Sequence, residues 1–410
     1  VVAKKTAVTK LNIEQLKASI VNEVESRRRQ LMELSLKIHS HPELAFKEVK
    51  AAEWLTDYLS NNGFTVEKGI CDLPTAFRAS YGQGKPVVAF LAEYDALPKL
   101  GHACGHNIIG TSAVGAGVAA KLAANRYGGT VQVIGTPAEE LYGGKILMAE
   151  KGAFDTLDVA MLVHPARRNA AATRLLACQN LNVEFFGQAS HAAARPEEGI
   201  NALEAMIQSF NGINSLRQHI KPTARIHGII TDGGKIANIV PDHSAGNFIV
   251  RAEDNEYLDE LKSRVMSCFV GAALATGARL ETKWDDIRYA PLRNNMTLAR
   301  LFRKNLASRG RKVVLDDPGV SFGSSDMGNV SQIVPAIHPS IAITHVDVLL
   351  HSPQFALVAA SESGVCAMLE SAEAMAMTAA EVLADPALAI KIREEFERSR
   401  KAVAAEAEAE

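Results

Sequence analysis

Apolar positions between Leu11 and Ile38, among them Leu16, Ile20, Val24, Leu31 and Leu34, recur at helical spacing with charges between them, which predicts an amphipathic helix over 11–38. Another helical stretch follows near 48–60. Three apolar runs come next, "PVVAFLAEYD", "TVQVIGTPAEE" and "LDVAMLVHPA", separated by helical patterns near 108–125 and 143–151. Strand alternating with helix predicts an α/β fold built on a mostly parallel sheet flanked by helices.

The pattern changes after Cys178: strand 181–187, helix 199–217, strands 224–231 and 245–252, helix 255–276, strand 278–284. This βαββαβ order reads as a ferredoxin-like α+β unit, an antiparallel sheet with two helices on one face. Residues 180–290 are thus expected to form an inserted lid or dimerisation domain, leaving 1–179 and 291–410 as one discontinuous catalytic domain. The later part reads as a helix over 296–308, the strand-like "KVVLD", the Gly/Ser loop "GVSFGSSDMGN" and a long Ala-rich helix over 358–381. The final "KAVAAEAEAE" is low in complexity and reads as frayed or helical. The apolar stretch "IIGTSAVGAGVAAKLAAN" is interrupted by Gly, Thr and Ser and contains Lys121, so it reads as a helix packed closely on a sheet and not as a membrane span.

Composition narrows the class. A chain of 410 residues exceeds what one core supports and suggests roughly two to three domains. With 44 basic and 46 acidic residues the net charge is -2, too weak a field for nucleic acid or an anionic membrane as the main partner. A small-molecule substrate fits better. The 5 cysteines are scattered singly without the regular spacings of a disulfide framework, so a reducing, cytoplasmic location is expected.

In open parallel sheets ligands gather beyond the carboxyl ends of strands. Here "VVAFLAEY" delivers Asp95, with Cys104 and His106 in the loop beyond; "VQVIGTP" delivers Glu139 and Glu140; "DVAMLV" delivers His164. Each alone has a plain structural reading, but three strand ends converging on these types suit a zinc-like divalent ion, because thiolate and imidazole are good ligands and a carboxylate compensates charge. Two consecutive glutamates can divide labour, one ligating and one taking a proton from water that the metal activates. That pairing points to hydrolysis. His39 and His41, before Pro42, read as a helix boundary, and His102 as a residue hydrogen-bonding a ligand.

Together, "AEYDALPKLGHACGHN", "GTPAEELYGGKILM", the His164-Pro165 pair, "GQASHAAARPEEGINAL", "GGKIANIVPD" and "GSSDMGNVS" resemble the M20 family of di-metal exopeptidases and amidohydrolases, over about residues 30–395. The resemblance implies metal-dependent cleavage of the amide bond of a dipeptide or an N-acylated amino acid, with aminobenzoyl-glutamate and N-acyl-amino-acid hydrolysis as the neighbouring alternative. It implies Cys104, His106, Glu140, His164 and His351 as ligands of one or two divalent ions, zinc first, manganese or cobalt next. Glu139 matches the general base and Asp95 the aspartate that orients the cluster. Where many relatives have His-x-Asp, this chain has "EYD", with Glu93 in place of the histidine. His191 matches a lid histidine that reaches into the partner subunit's site to stabilise the oxyanion, which implies a homodimer. Asn238 and Arg251 match positions that hold a substrate carboxylate, while Gly323 and Ser324 either let backbone approach the substrate or form a structural turn. Two other classes stay open: a catalytically silent metabolite-binding homologue, and a redox role for Cys104, which has no resolving cysteine nearby.

Overall fold

A computed structural model describes residues 2–316, 323–345 and 347–409, with side chains from 13 to 401. The start of the Gly/Ser loop, up to Phe322, lies outside the described residues. The chain divides into two compact units, Val1–Thr173 with Arg293–Gly319 and Asn329–Glu410, and Arg174–Leu292 with Val320–Gly328.

The first unit contains a six-stranded sheet in the order Thr65–Lys68, Phe77–Gln83, Gly129–Gly135, Val87–Ala92, Val159–Met161, Ala336–Ile337. The last four are parallel, with Val88 opposite both Val131 and Val159. The first two are antiparallel additions at one edge. The three apolar runs of the sequence are thus neighbours. Phe90, Leu91, Val131, Val133 and Ile134 are fully buried, as strands covered on both faces must be. At roughly 1.5–3 kcal/mol for each large apolar side chain removed from water, these strands are the mechanical base of the unit. Four strands of three residues, Val314–Asp316, Ala170–Ala172, Ser340–Ala342 and His164–Ala166, form a second small sheet.

The helix His106–Tyr127 is the one described helix long and apolar enough to cross a membrane, and 89% of its apolar window is buried inside the unit. It packs on the Val87–Ala92 and Gly129–Gly135 strands and on the helix Glu362–Ala384. Its small residues allow this approach: a Cβ on Gly117 would overlap the Val133 side chain.

Two helices expected as single rods are broken. The 11–38 segment is Val2–Ser26 followed by Arg28–His39. Arg27 leaves helical geometry (φ -102, ψ 4) while its guanidinium donates to Glu23 Oε1 at 2.7 Å and Asn62 Oδ1 at 2.6 Å. Apolar spacing continues across the break, since Val24 and Leu31 share one core, so periodicity could not reveal it. The Ala-rich helix begins at Glu362, and Pro353–Ala359 precedes it at a bend of 61°. Ser361 marks the boundary by accepting the Gly364 N–H, a serine N-cap.

The second unit is an antiparallel sheet in the order Arg279–Tyr289, Ala177–Phe186, His243–Ala252, Arg225–Asp232, with helices Ala202–Leu216 and Asn255–Thr276. Burial alternates strictly along His243–Ala252, the signature of a sheet with one covered face. Leu181, Val183, Phe185, Phe248 and Val250 meet Met206, Leu261, Val265 and Phe269 of the helices in one core. Asn201 and Asp254 cap the two helices by accepting the N–H groups of Glu204 and Tyr257. Element order and strand order are those of a ferredoxin-like unit.

Candidate metal centre

Three segments following the buried parallel strands, and a fourth that carries His351, bring donor atoms together. Cys104, His106 and His164 form one group, Cys104, Glu140 and His351 a second, and His106, Glu139 and Glu140 a third, with the donor atoms of each group within 4.8 Å of one another. Cys104 belongs to two of the groups, so five predicted ligands and the predicted base are linked into one cluster. All of them lie in the first unit.

Local structure explains how each side chain is aimed. Gly105 is left-handed at φ 81 and turns the "CGH" segment so that Cys104 precedes the helix that His106 opens. His106 Nδ1 lies 2.9 Å from Asp95 Oδ1, and the Glu140 N–H donates to Asp95 Oδ2 at 2.9 Å. One aspartate thus fixes both a ring and the backbone of the glutamate turn, the usual way an outer carboxylate orients a metal-binding histidine. His164 Nδ1 lies 2.7 Å from its neighbour's carbonyl, Pro165 O, and its Nε2 faces Cys104 Sγ at 3.3 Å. His351, left-handed at φ 57, donates its N–H to Ala103 O at 3.0 Å. Glu139 and Glu140 begin a four-residue helix after Ala138, itself left-handed at φ 62. Gly144 is required behind this turn, because a Cβ there would overlap the Pro137 carbonyl.

The donor set fits a divalent cation. Among the described residues His106 Nε2 and Glu140 Oε1 are buried and have no hydrogen-bond partner, a costly state that a shared cation relieves. Glu140 Oε1 lies 3.7 Å from His106 Nε2 and 3.6 Å from His351 Nε2. Burial, followed by the neighbouring His338, lowers His164 to about 3, leaving a neutral imidazole able to ligate. Burial and the Glu140 carboxylate raise the Cys104 thiol well above its ordinary value, so a thiolate at this position needs a cation beside it. Burial opposes charge on His106 too, yet Asp95 and Cys104 raise it.

Behind the cluster lies a fully buried ion pair, Lys145 Nζ to Glu93 Oε1 at 2.6 Å. Burial alone would raise the Glu93 carboxyl, but Lys145 and then His106, His164 and His338 hold it below the usual carboxylate range. The second oxygen, Glu93 Oε2, lies 3.5 Å from His106 Nε2. Sequence reasoning noted Glu93 as a departure but missed Lys145 and His338. Their only signal was an ionisable residue inside an apolar surrounding.

His102 departs from expectation: among the described residues neither ring nitrogen makes a hydrogen bond to a candidate ligand. Its neighbour is the His39 ring, at 6.0 Å. His39 Nε2 lies 2.8 Å from Ala356 O and His41 Nδ1 2.9 Å from Lys37 O, as helix-boundary residues do.

The remaining predicted residues lie in the second unit. His191 is exposed, bridges to Ile239, and its Nδ1 accepts the N–H groups of Ala193 and Ala194 at 3.3 and 3.2 Å. Asn238 accepts the Ala192 N–H through its backbone carbonyl at 3.0 Å. Arg251 donates to Ser324 Oγ at 2.7 Å, and Gly323 O accepts the Leu176 N–H at 2.9 Å. These five therefore form two local sets, the His191 and Asn238 segments side by side, and Arg251 on the loop containing Ser324.

Residues 179–274 match the peptidase dimerisation domain. The chain is 38% identical over 400 residues to the Xaa-Arg dipeptidase of Mus musculus, covering 94% of this chain and 93% of that protein. It is 37% identical over 294 residues to one of the p-aminobenzoyl-glutamate hydrolase subunits of Escherichia coli strain K12, covering 67% of this chain and 61% of that protein. Among solved structures, a dinuclear metal-binding peptidase of the M20 family, the YXEP protein of Bacillus subtilis, superposes with a TM-score of 0.70 at 21% identity, covering 88% of this chain and 99% of that one. The chain belongs to the M20 family of metal-dependent peptidases and amidohydrolases.

Proposed function

We propose that the protein hydrolyses the amide bond of a dipeptide or an N-acylated amino acid, with Cys104, His106, Glu140, His164 and His351 holding one or two divalent ions, zinc first, manganese or cobalt next. The observation that carries the reading is the set of interlocking donor groups sharing Cys104, with buried, unpartnered nitrogen and oxygen atoms turned toward one another. A bound divalent ion would polarise the scissile carbonyl and acidify water nearby.

The chain's own residues do the rest. Asp95 holds His106 and the glutamate turn in register. Glu139 takes a proton from the attacking water and returns it to the leaving amine. Nitrogen protonation makes the amine a competent leaving group. His191 of a second copy stabilises the developing oxyanion, in keeping with the dimerisation-domain match. Asn238, Arg251, Gly323 and Ser324 receive the substrate's carboxylate end. Likeness to the Xaa-Arg dipeptidase supports dipeptides ending in a basic residue, and likeness to the aminobenzoyl-glutamate hydrolase supports an N-acylated amino acid as the second reading. The free cysteines suit a cytoplasmic enzyme.

The test is a panel of dipeptides ending in Lys, Arg and Glu beside N-acetyl and N-benzoyl amino acids, run on zinc-loaded wild type and on Glu139→Gln. Wild type cleaves at least one class. Glu139→Gln keeps its metal by elemental analysis and loses about 10²–10⁴-fold in kcat; full activity in that variant overturns the assignment.

A further inference from the structure

Glu48 is a fully buried carboxylate for which the chemistry above has no use. It precedes the helix Val49–Asn61 without capping it. Glu43 does that work, accepting the Lys50 and Ala51 N–H groups at 2.9 and 3.0 Å. The Glu48 side chain turns inward instead. Its Oε1 accepts the Ala138 N–H at 2.9 Å, and its Oε2 accepts the Thr75 hydroxyl at 3.0 Å.

Ala138 is the left-handed residue immediately before Glu139 and Glu140, with φ 62 and ψ 36. A non-glycine residue persists in that region only where its surroundings over-determine it. Thr75 has a second tie, since its carbonyl accepts the Tyr94 hydroxyl at 2.5 Å. Tyr94 sits between Glu93 and Asp95, and Asp95 accepts the Glu140 N–H. Glu48, Ala138, the Glu139–Glu140 turn, Asp95, Tyr94 and Thr75 thus close a ring of buried bonds linking two site loops. The geometry points to Glu48 as a positioning residue for Glu139 and Glu140, its carboxyl group holding the strained Ala138 turn that presents them. This rests on the reading of Glu139 as base and Glu140 as ligand.

Burial raises the Glu48 carboxyl to about 7, with Asp95 adding repulsion and nearby backbone and Thr75 hydrogen bonds acting against it, so a glutamine is a close mimic of its protonated form. The amide oxygen of Glu48→Gln can still accept the Ala138 N–H; Glu48→Leu cannot. Full-length wild type, both variants and Thr75→Val are compared by amide hydrogen exchange without metal, by zinc affinity in chelator competition, and by kcat and KM.

In Glu48→Leu, exchange over 138–142 speeds up at least about tenfold while the helix Ala202–Leu216 is unchanged. Zinc affinity falls on the order of 10–100-fold, and kcat falls more than KM rises. Glu48→Gln restores most of each. Should Glu48→Leu fail to fold, Thr75→Val removes one bond of the same ring and shows the same pattern in weaker form. Unchanged exchange over 138–142, or a uniform loss across the first unit that glutamine does not rescue, overturns the proposal. Because exchange is read without metal, it decides the positioning role even if wild type cleaves no amide, which would sink the functional reading alone.

Discussion

Most candidate residues of the first unit are withdrawn from solvent, His351 being the exposed exception, and those of the second unit are less so. In the first, Asp95, Cys104 and His106 are almost wholly buried and meet other ionisable groups. In the second, His191 and Asn238 are exposed and Arg251 is half-buried, and the His191 and Arg251 side chains make local hydrogen bonds. Burying ionisable groups costs free energy that pairing or a cation must offset, so the first cluster constrains its own interpretation. Exposed groups carry no such debt, and their roles depend on what approaches them.

Two cysteines break or sharpen this contrast with the largest effect. Cys104 and Cys178 are both buried, one in the donor cluster and one on a strand of the second unit. Cys104→Ala lowers zinc affinity more than about 100-fold, beyond the effect of losing an outer-sphere partner, whereas Cys178→Ala leaves it unchanged. Equal losses, measured by chelator competition, would mean that burial and not ligation was being read. The next effect belongs to the exposed side: His191→Ala lowers kcat about 10²-fold, the scale of one lost oxyanion donor, with metal content retained. Mixing His191→Ala with Glu139→Gln protomers regains part of the activity when the histidine serves the other subunit's site. No recovery would place its action within one chain.

The smallest effect tests burial itself. Glu373 is fully buried beside Arg309, at 2.5 Å, and far from the donor set in role: burial raises it from 4.5 to about 7 despite the guanidinium. The folded chain keeps this proton through a window in which the unfolded chain has lost it, so the contribution of Glu373 to stability is greatest below about pH 4.5 and is lost as pH rises through about 7. Glu373→Gln removes that decline, about 2 kcal/mol, in urea midpoints compared between pH 5 and pH 8. Zinc affinity stays unchanged.

Legibility in the sequence followed the same division. The strands Val87–Ala92, Gly129–Gly135 and Val159–Met161 were readable because burial on both faces leaves long apolar runs, and residues beyond their ends stood out against them. The antiparallel strands Thr65–Lys68 and Phe77–Gln83, with their mixed exposure, carry no such run. Ala336–Ile337, a strand of two residues, is too short for any period to show. Glu48 and Lys145 carry no signal of their burial in the local sequence, because their partners Thr75, Ala138 and Glu93 are dozens of positions away. Only the folded chain reveals that those charges face inward.

His106 is the first residue of a rod buried over most of its length, between a sheet and another long helix. A gate that opens and closes on a hinge would be a poor description of such a mount. Since fraying at that end would drag core side chains into water, opening of the His106 end is tied to cooperative unfolding of the unit and not to the breathing of one surface segment.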